Sequence, residues 1–376
     1  MTLPMTLNDL QTPCLVLDRP TLQRNIDAMA AIAARLGVAL RPHMKTAKSI
    51  DVARIALAAG ARGITVSTLA EAEYFAPLVT QAGLADILYA VGITPQKLNR
   101  VAALNQHGAN VIVIADDPEA ARAIAAHGIP ALVEVDCGEH RGGMDANDAR
   151  LLAVAAALGP CLRGVLTHAG HSYAGRTPAE MTALAEAERT AITTAATRLR
   201  TAGHTIDIVS MGSSPTLRHA AHLDGVTEVR AGVYMFGDLF QAAIHTHALH
   251  DIAMTVLASV IGLRPAEHRI LVDAGGIALS KDRSTQAPGL MLDHGFGLLL
   301  DIHGAPTHGH ATVVHAYQEH GVVALDPKHP FPNLAIGDLV RIAPNHTCMT
   351  AAAHDRYHVV EGTQQITATW PRRNGW

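Results

Sequence analysis

Asn110-Val-Ile-Val-Ile-Ala-Asp-Asp-Pro-Glu-Ala-Ala-Arg-Ala-Ile-Ala-Ala-His-Gly-Ile-Pro-Ala-Leu-Val-Glu-Val-Asp136 is the stretch that decides the fold. It begins and ends in short apolar, β-branched runs, Asn110–Ala115 and Ala131–Asp136, which read as buried strands. Between them Pro118–His127 carries apolar residues at helical spacing and stops at Gly128. Strand, crossover helix, strand is the repeating unit of a parallel α/β protein.

The alternation extends in both directions. Further strands are expected at Ala39–His43, Gly63–Thr68, Ile87–Gly92, Gly164–His168, Asp207–Gly212 and Glu228–Gly232, which makes eight. Helical stretches Ser49–Ala59, Ala70–Gln81 and Pro178–Ala202 end at Gly60, Gly83 and Gly203 in the same way. Eight strand-helix units within roughly 200 residues predict a (β/α)8 TIM barrel rather than an open doubly wound sheet. No G-x-G-x-x-G follows an early strand, which weakens the dinucleotide-fold alternative.

Beyond residue 245 the helices drop out. Strands are expected at Met254–Gly262, Arg269–Ala274, Leu298–His303, Thr312–Tyr317, Asp338–Ile342 and Tyr357–Glu361, a β-rich second domain. Cys14–Asp18 joins it in this reading, and helix Thr21–Leu36 leads into the barrel. The expected division is a barrel over 19–245 and a β-domain over 1–18 plus 246–376.

With 376 residues, 49% hydrophobic and 16% charged, the chain is long enough for a large core and too apolar for disorder. A formal net charge of -4 without a Lys/Arg-rich block leaves no nucleic-acid footprint, so the expected partner is a small molecule. No apolar run is long enough to span a bilayer and no signal peptide is visible, so a cytoplasmic protein without membrane partners is expected. Four scattered cysteines, Cys14, Cys137, Cys161 and Cys348, do not form a disulfide framework.

In a barrel the C-terminal strand ends converge on one mouth. There the sequence puts Lys45, Thr68, Arg141, His168, Tyr173, Ser213, Ser214, Thr216, Gly232 and Tyr234. Within Arg41-Pro-His-Met-Lys-Thr-Ala-Lys48 a lysine follows a strand directly, where it can act as a Schiff-base lysine; Lys45 is the better candidate than Lys48. Alone, the segment reads equally as two solvated loop cations. Gly212-Ser-Ser-Pro-Thr216 and Arg230-Ala-Gly-Val-Tyr234 offer small residues, hydroxyls and backbone N–H groups for a phosphate. Either is equally an ordinary turn, but together, after the last two strands, they favour phosphate. A Schiff-base lysine beside a phosphate site points to pyridoxal phosphate.

A second candidate lies in Asn345-His-Thr-Cys348. If the segment is extended, His346 and Cys348 face the same side, and imidazole with thiolate is a ligand set that zinc prefers. Two protein ligands leave positions open for water and substrate, although an isolated His-x-Cys is more often a packing coincidence. His320, in Gln318-Glu-His-Gly321, is either an acid/base or supporting group or part of a polar turn.

Taken together, Arg41-Pro-His-Met-Lys45, Glu134-Val-Asp136 with His140-Arg-Gly-Gly143, the two phosphate loops, Gln318–Gly321 and Pro344-Asn-His-Thr-Cys348 resemble the fold-type III enzymes of the D-serine dehydratase and D-threonine aldolase family. The resemblance covers nearly the whole chain. It implies an alanine-racemase-like barrel plus β-domain, Lys45 as the cofactor lysine, Arg141 on the cofactor's phenolic oxygen, and His346 with Cys348 on a divalent metal. It further implies a homodimer with active sites near the subunit interface.

The expected activity is that of a lyase. A D-3-hydroxy amino acid such as D-serine or D-threo-3-hydroxyaspartate is converted to a 2-oxo acid and ammonia, with Lys45 taking the α-proton and zinc aiding loss of the β-hydroxyl. His168, Tyr173 and Thr68 are expected against the cofactor ring, and Ser213, Ser214, Thr216, Gly232 and Tyr234 on its phosphate. The alternative is an aldolase giving glycine and an aldehyde; behind it stand a racemase and a non-catalytic pyridoxal phosphate carrier. The aldolase branch is associated with His-x-Asp and manganese, so His-x-Cys tilts the choice toward the dehydratase.

Overall fold

The computed structural model describes residues 5–376. Its internal contacts divide the chain into two units, Asp27–Gly232 with Gly375–Trp376, and Met1–Ile26 with Val233–Asn374. Strand β1 (Cys14–Asp18) and helix α1 (Arg19–Arg35) open the chain.

The first unit is a parallel barrel. Its strands are β2 (Ala39–Pro42), β3 (Ile64–Val66), β4 (Ile87–Tyr89), β5 (Val111–Ala115), β6 (Ala131–Val135), β7 (Leu162–Thr167), β8 (Ile208–Met211) and β9 (Glu228–Ala231), each beginning within two residues of its expected start. They pair in the order β2-β9-β8-β7-β6-β5-β4-β3. Beyond the end of β2, His43 bridges Thr65 in parallel register and the Met44 N–H donates to the Thr65 carbonyl at 2.7 Å, which brings the two ends of the sheet together. The crossovers are α2 (Ile50–Ala58), α3 (Leu69–Ala82), α4 (Pro95–Gln106), α5 (Pro118–Ala126), α6 (Arg150–Leu158), α7 (Pro178–Thr201) and the short α8 (Ser214–His219).

Register shows how this barrel differs from an all-apolar one. Laterally paired residues share a face of the sheet. Leu88 pairs with Ile112, Ile114 with Leu132, Glu134 with Leu166, Leu166 with Ser210, Ser210 with Glu228, and Arg41 with Arg230. Leu88, Ile112, Ile114, Leu132 and Leu166 form one buried apolar cluster. On the adjoining strands the same face carries Arg41, Ser210, Glu228 and Arg230, all buried. Buried charges persist only when they are paired and hydrogen-bonded, and here they are. Arg41 Nε donates to Glu228 at 2.8 Å, Ser210 Oγ to Glu228 at 2.6 Å, and Arg230 to Ser210 Oγ at 2.6 Å.

The second unit is built on β1 with β10 (Met254–Arg264), β11 (Arg269–Val272), β12 (Gly297–Leu300), β13 (Thr312–Ala316), β14 (Gly321–Ala324), β15 (Leu339–Pro344), β16 (Arg356–Val360) and β17 (Ile366–Pro371). Strands β11, β14, β13, β12, β15 and β10 form an antiparallel ring, closed because the long β10 pairs with β15 along its first half and with β11 along its second. As expected, β1 joins this sheet, antiparallel to β10 and parallel to β16. Strands β14 and β17 were not foreseen. Gly321-Val-Val-Ala324 is too short to stand out, and β17 alternates half-buried and exposed residues without an apolar run. Short helices α9 (Leu239–Ala243), α10 (Gly276–Leu279) and α11 (Thr347–Ala351) decorate the unit.

Candidate active site

At the barrel mouth the structure separates the two lysines of the 41–48 segment. Lys48 has a left-handed φ of 48° and its ammonium pairs with buried Glu71 at 3.0 Å. Lys45 is exposed, and its ammonium has neither ion pair nor hydrogen bond among the described residues. Burial, then the cations Lys45 and Arg230, hold His43 neutral, well below the ordinary histidine range. His168 is lowered to about 3 by burial and by Lys45, Arg230 and Arg141, while its Nδ1 lies 2.9 Å from the Gly212 carbonyl. The mouth therefore collects positive charge around two neutral imidazoles, an environment that favours an anionic ligand.

The phosphate loops are arranged to match. Gly212 has φ +125° and a Cβ there would lie 2.7 Å from the Arg230 carbonyl; a Cβ at Gly232 would lie 2.8 Å from the His43 carbonyl. Glycine is required at both positions for the loops to close. Ser213 caps α8, its hydroxyl accepting from the Thr216 N–H at 3.2 Å and standing 2.9 Å from Ser172 Oγ. Ser213 and Thr216 thus spend their hydroxyls on the loop itself. Ser214 Oγ is buried with no partner among the described residues. An orphaned hydroxyl beside glycines that keep the backbone open, within a cationic mouth, fits a phosphorylated cofactor.

Thr68 caps α3, accepting from the Glu71 N–H at 3.0 Å, so its hydroxyl is engaged in the fold. Arg141 is largely exposed on the loop after β6, 3.4 Å from Glu139, whose carboxylate in turn accepts from the Gly170 N–H at 2.6 Å. Tyr173 sits in the turn Gly170–Ala174 and its carbonyl accepts from Arg176 at 3.0 Å. Tyr234 belongs to the other unit; its hydroxyl is buried with no partner among the described residues, and that burial alone raises its pKa, so it is neutral.

Two functional groups of the mouth went unread in the sequence. Glu188 of α7 is fully buried and accepts from the Ala169 N–H and the Gly212 N–H, each at 2.9 Å, tying the loops after β7 and β8 together. The signal was a glutamate on an otherwise apolar helix face with Met181, Ala185, Ile192 and Leu199. Arg230, quoted only as part of a turn, is a fully buried guanidinium that also donates to the Thr167 carbonyl.

In the second unit the expected extended His-x-Cys is corrected. His346 has extended φ and ψ but is the N-cap of α11, and Cys348 lies inside that helix. Burial, which would lower His346, is outweighed by its hydrogen bonds to Asp282 and with Cys348, which raise it to about 11. Asp282 meets His346 Nδ1 at 3.0 Å and is itself braced by the Ser284 N–H at 2.8 Å. Asn345 donates to the Asp282 carbonyl at 2.9 Å, and buried Asp238, raised to about 6 by burial, accepts from the Thr347 N–H at 3.1 Å. With Nδ1 engaged by Asp282, Nε2 is the imidazole nitrogen left for a metal ion. The donor set fits a divalent metal such as zinc, although no group of three ligands occurs among the described residues. His320 lies on the exposed turn between β13 and β14, its carbonyl accepting from the Tyr317 N–H at 2.8 Å.

Comparison with known proteins bears directly on this pairing of domains. Residues 17–239 match the alanine racemase N-terminal domain, and residues 253–360 match a serine dehydratase domain. The D-threo-3-hydroxyaspartate dehydratase of Delftia sp. strain HT23 is 43% identical over 99% of this chain and 99% of its own. The chain belongs to this dehydratase family, with an alanine-racemase-type barrel. Its members also include the D-serine dehydratase of Dictyostelium discoideum, 31% identical over 98% of both chains, and the D-threonine aldolase of an Arthrobacter species, 31% identical over 95% of this chain and 92% of its own. The solved structure of the Delftia dehydratase superposes with a TM-score of 0.92 at 42% identity, covering 99% of this chain and all of that one. Among the described residues, no helix is long and apolar enough to cross a membrane.

Proposed function

We propose that the chain is a pyridoxal phosphate- and zinc-dependent lyase that converts a D-3-hydroxy amino acid, such as D-threo-3-hydroxyaspartate or D-serine, to a 2-oxo acid and ammonia. The observation that carries the reading is the His346–Cys348 pair backed by Asp282, in a chain similar along its whole length to dehydratases. Two solved structures of a D-threo-3-hydroxyaspartate dehydratase carry a His→Ala and a Cys→Ala substitution two residues apart, the spacing of this pair, and the cysteine variant is described as metal-free.

Bound at the mouth, pyridoxal phosphate supplies an electron sink for the Cα–H bond, and zinc on His346 Nε2 and Cys348 Sγ supplies a Lewis acid for the departing hydroxyl. The chain's own part is positional. Lys45 offers an unpaired amine as attachment point and as base for the α-proton. Ser214, with backbone N–H groups of the loops after β8 and β9, holds phosphate, and Glu188 keeps the adjoining loop in place. Arg141 is near enough to His168 to lower its basicity and, exposed as it is, remains available for the phenolic oxygen. Asp282 holds the His346 ring with Nδ1 engaged, so only Nε2 is presented. His320 is free to act as an acid/base group. The resemblance adds a homodimer, with manganese as the alternative metal.

The aldolase reading uses the same site, and aldolases stand among the relatives. A panel of D-3-hydroxy amino acids, assayed separately for ammonia and for glycine, decides between them. Ammonia with 2-oxo acid is expected; glycine with an aldehyde as the main products would overturn the dehydratase assignment.

A further inference from the structure

The β-domain encloses a cavity of about 460 Å³, a volume typical of small-molecule sites. No residue assigned above to cofactor or metal lines it. Aliphatic walls of Ile252, Leu298, Leu300, Ala343 and Val360 share the lining with polar Asp18, His250 and His303, and Arg341 of β15 reaches the cavity. Arg341 is 6% exposed, yet its guanidinium makes no hydrogen bond among the described residues and its Nε is fully buried without a partner.

That arrangement is costly in a free protein. A buried arginine almost always forms a carboxylate pair or carbonyl bonds, whereas here burial depresses its pKa against the opposing charges of Asp18 and Asp301, neither of which it hydrogen-bonds. Both carboxylates are engaged elsewhere. Asp18 accepts from Thr21 Oγ1 at 2.6 Å and the Gly362 N–H at 3.0 Å. Asp301 accepts from the N–H groups of His303 and Ala305, each at 2.9 Å, which folds the 301–307 loop back on itself. That loop brings Gly304 against the guanidinium, where a Cβ would lie 3.4 Å from the nearer terminal nitrogen. Thr255 Oγ1 also lines the cavity and is buried with no partner among the described residues.

We infer that this cavity is a second ligand site, for a small aliphatic carboxylate, whose carboxylate is held by Arg341 and Thr255 and whose hydrocarbon body lies on the leucine walls. A planar guanidinium with unspent donors matches a carboxylate in bidentate fashion, and the aliphatic lining selects a ligand with an apolar tail over a free inorganic anion.

The test is calorimetric titration of the holoenzyme with hexanoate, with hexan-1-ol as neutral control and inorganic phosphate as anion control. Hexanoate is expected to bind at one site per chain, at least about tenfold more tightly than either control, and to raise the melting temperature. Arg341→Met should fold, because it removes a desolvated charge, and should lose the preference for hexanoate over hexan-1-ol; Arg341→Lys should recover part of it. Absence of hexanoate binding, equal binding by Arg341→Met, or equal affinity for hexan-1-ol or phosphate overturns the inference. None of these outcomes depends on which reaction the barrel catalyses.

Discussion

The His346 ring turns its Nδ1 toward Asp282, 64 residues earlier in the chain, at 3.0 Å. That contact fixes which nitrogen is free, and it predicts that Asp282→Asn lowers metal affinity by roughly 10- to 100-fold without removing a ligand. Metal content after dialysis against graded chelator reads this directly. Unchanged retention would show that Asp282 does not orient the ring.

Lys45 and Lys48 lie three residues apart in the segment after β2 and differ in their partners. Borohydride reduction of the holoenzyme followed by peptide mapping is expected to find the cofactor on Lys45. Lys45→Ala should bind no cofactor covalently. Lys48→Ala should keep it but lose about 1–3 kcal/mol in urea unfolding, because Glu71 is left buried without its cation. Label on Lys48 would reverse the assignment.

The barrel interior makes a pH-dependent prediction. Burial alone would raise Glu228, but Arg41 and Ser210 hold it below the usual carboxylate range. With its folded pKa depressed, its stabilisation is complete above the unfolded value of 4.5 and is lost as pH falls through the folded one. Glu228→Gln leaves Arg41 and Arg230 without their shared countercharge and should cost about 3–5 kcal/mol at pH 7. The gap between wild type and variant in urea midpoints should narrow as the pH is lowered below 4.5; a constant gap would mean the carboxylate is not ionised in the fold.

What could be read in advance follows from how each feature is encoded. The eight barrel strands were legible because their buried faces leave continuous apolar runs, and Lys45 and the two loops proposed for phosphate stood out as candidates because they abut those runs. Glu188, Arg230 and Asp282 were not singled out, since their roles come from partners far along the chain. Glu188 meets Ala169 and Gly212 across crossovers, and Asp282 meets His346 only once α10 and α11 are folded. The extended reading of 346–348 failed for a long-range reason. Asp238 and Gly237, more than 100 residues upstream, accept from the Thr347 N–H and hydroxyl and start a helix there.

Gly232 carries a steric prediction. A Cβ 2.8 Å from the His43 carbonyl forces apart the backbone that links β2 and β9 at the mouth. Gly232→Ala should weaken pyridoxal phosphate binding by an order of magnitude or more, read from the cofactor's absorbance on titration of the apo-protein. Wild-type affinity would remove this loop from the phosphate cradle.

Cys348 decides the choice of chemistry. Replacing it with alanine removes the thiolate from a two-ligand site, so metal content and ammonia release should fall together, by at least about 100-fold for the latter, while covalent cofactor on Lys45 persists because attachment does not involve the β-domain pair. Cys348→Asp substitutes a harder oxygen donor, which shifts preference from zinc toward manganese. With manganese it should regain metal but not the full ammonia yield, if thiolate-bound zinc is what makes hydroxide leave. Full ammonia release by metal-depleted Cys348→Ala would show that the hydroxyl departs without a Lewis acid at this pair, and the dehydratase mechanism would then have to be sought among the barrel's own acids.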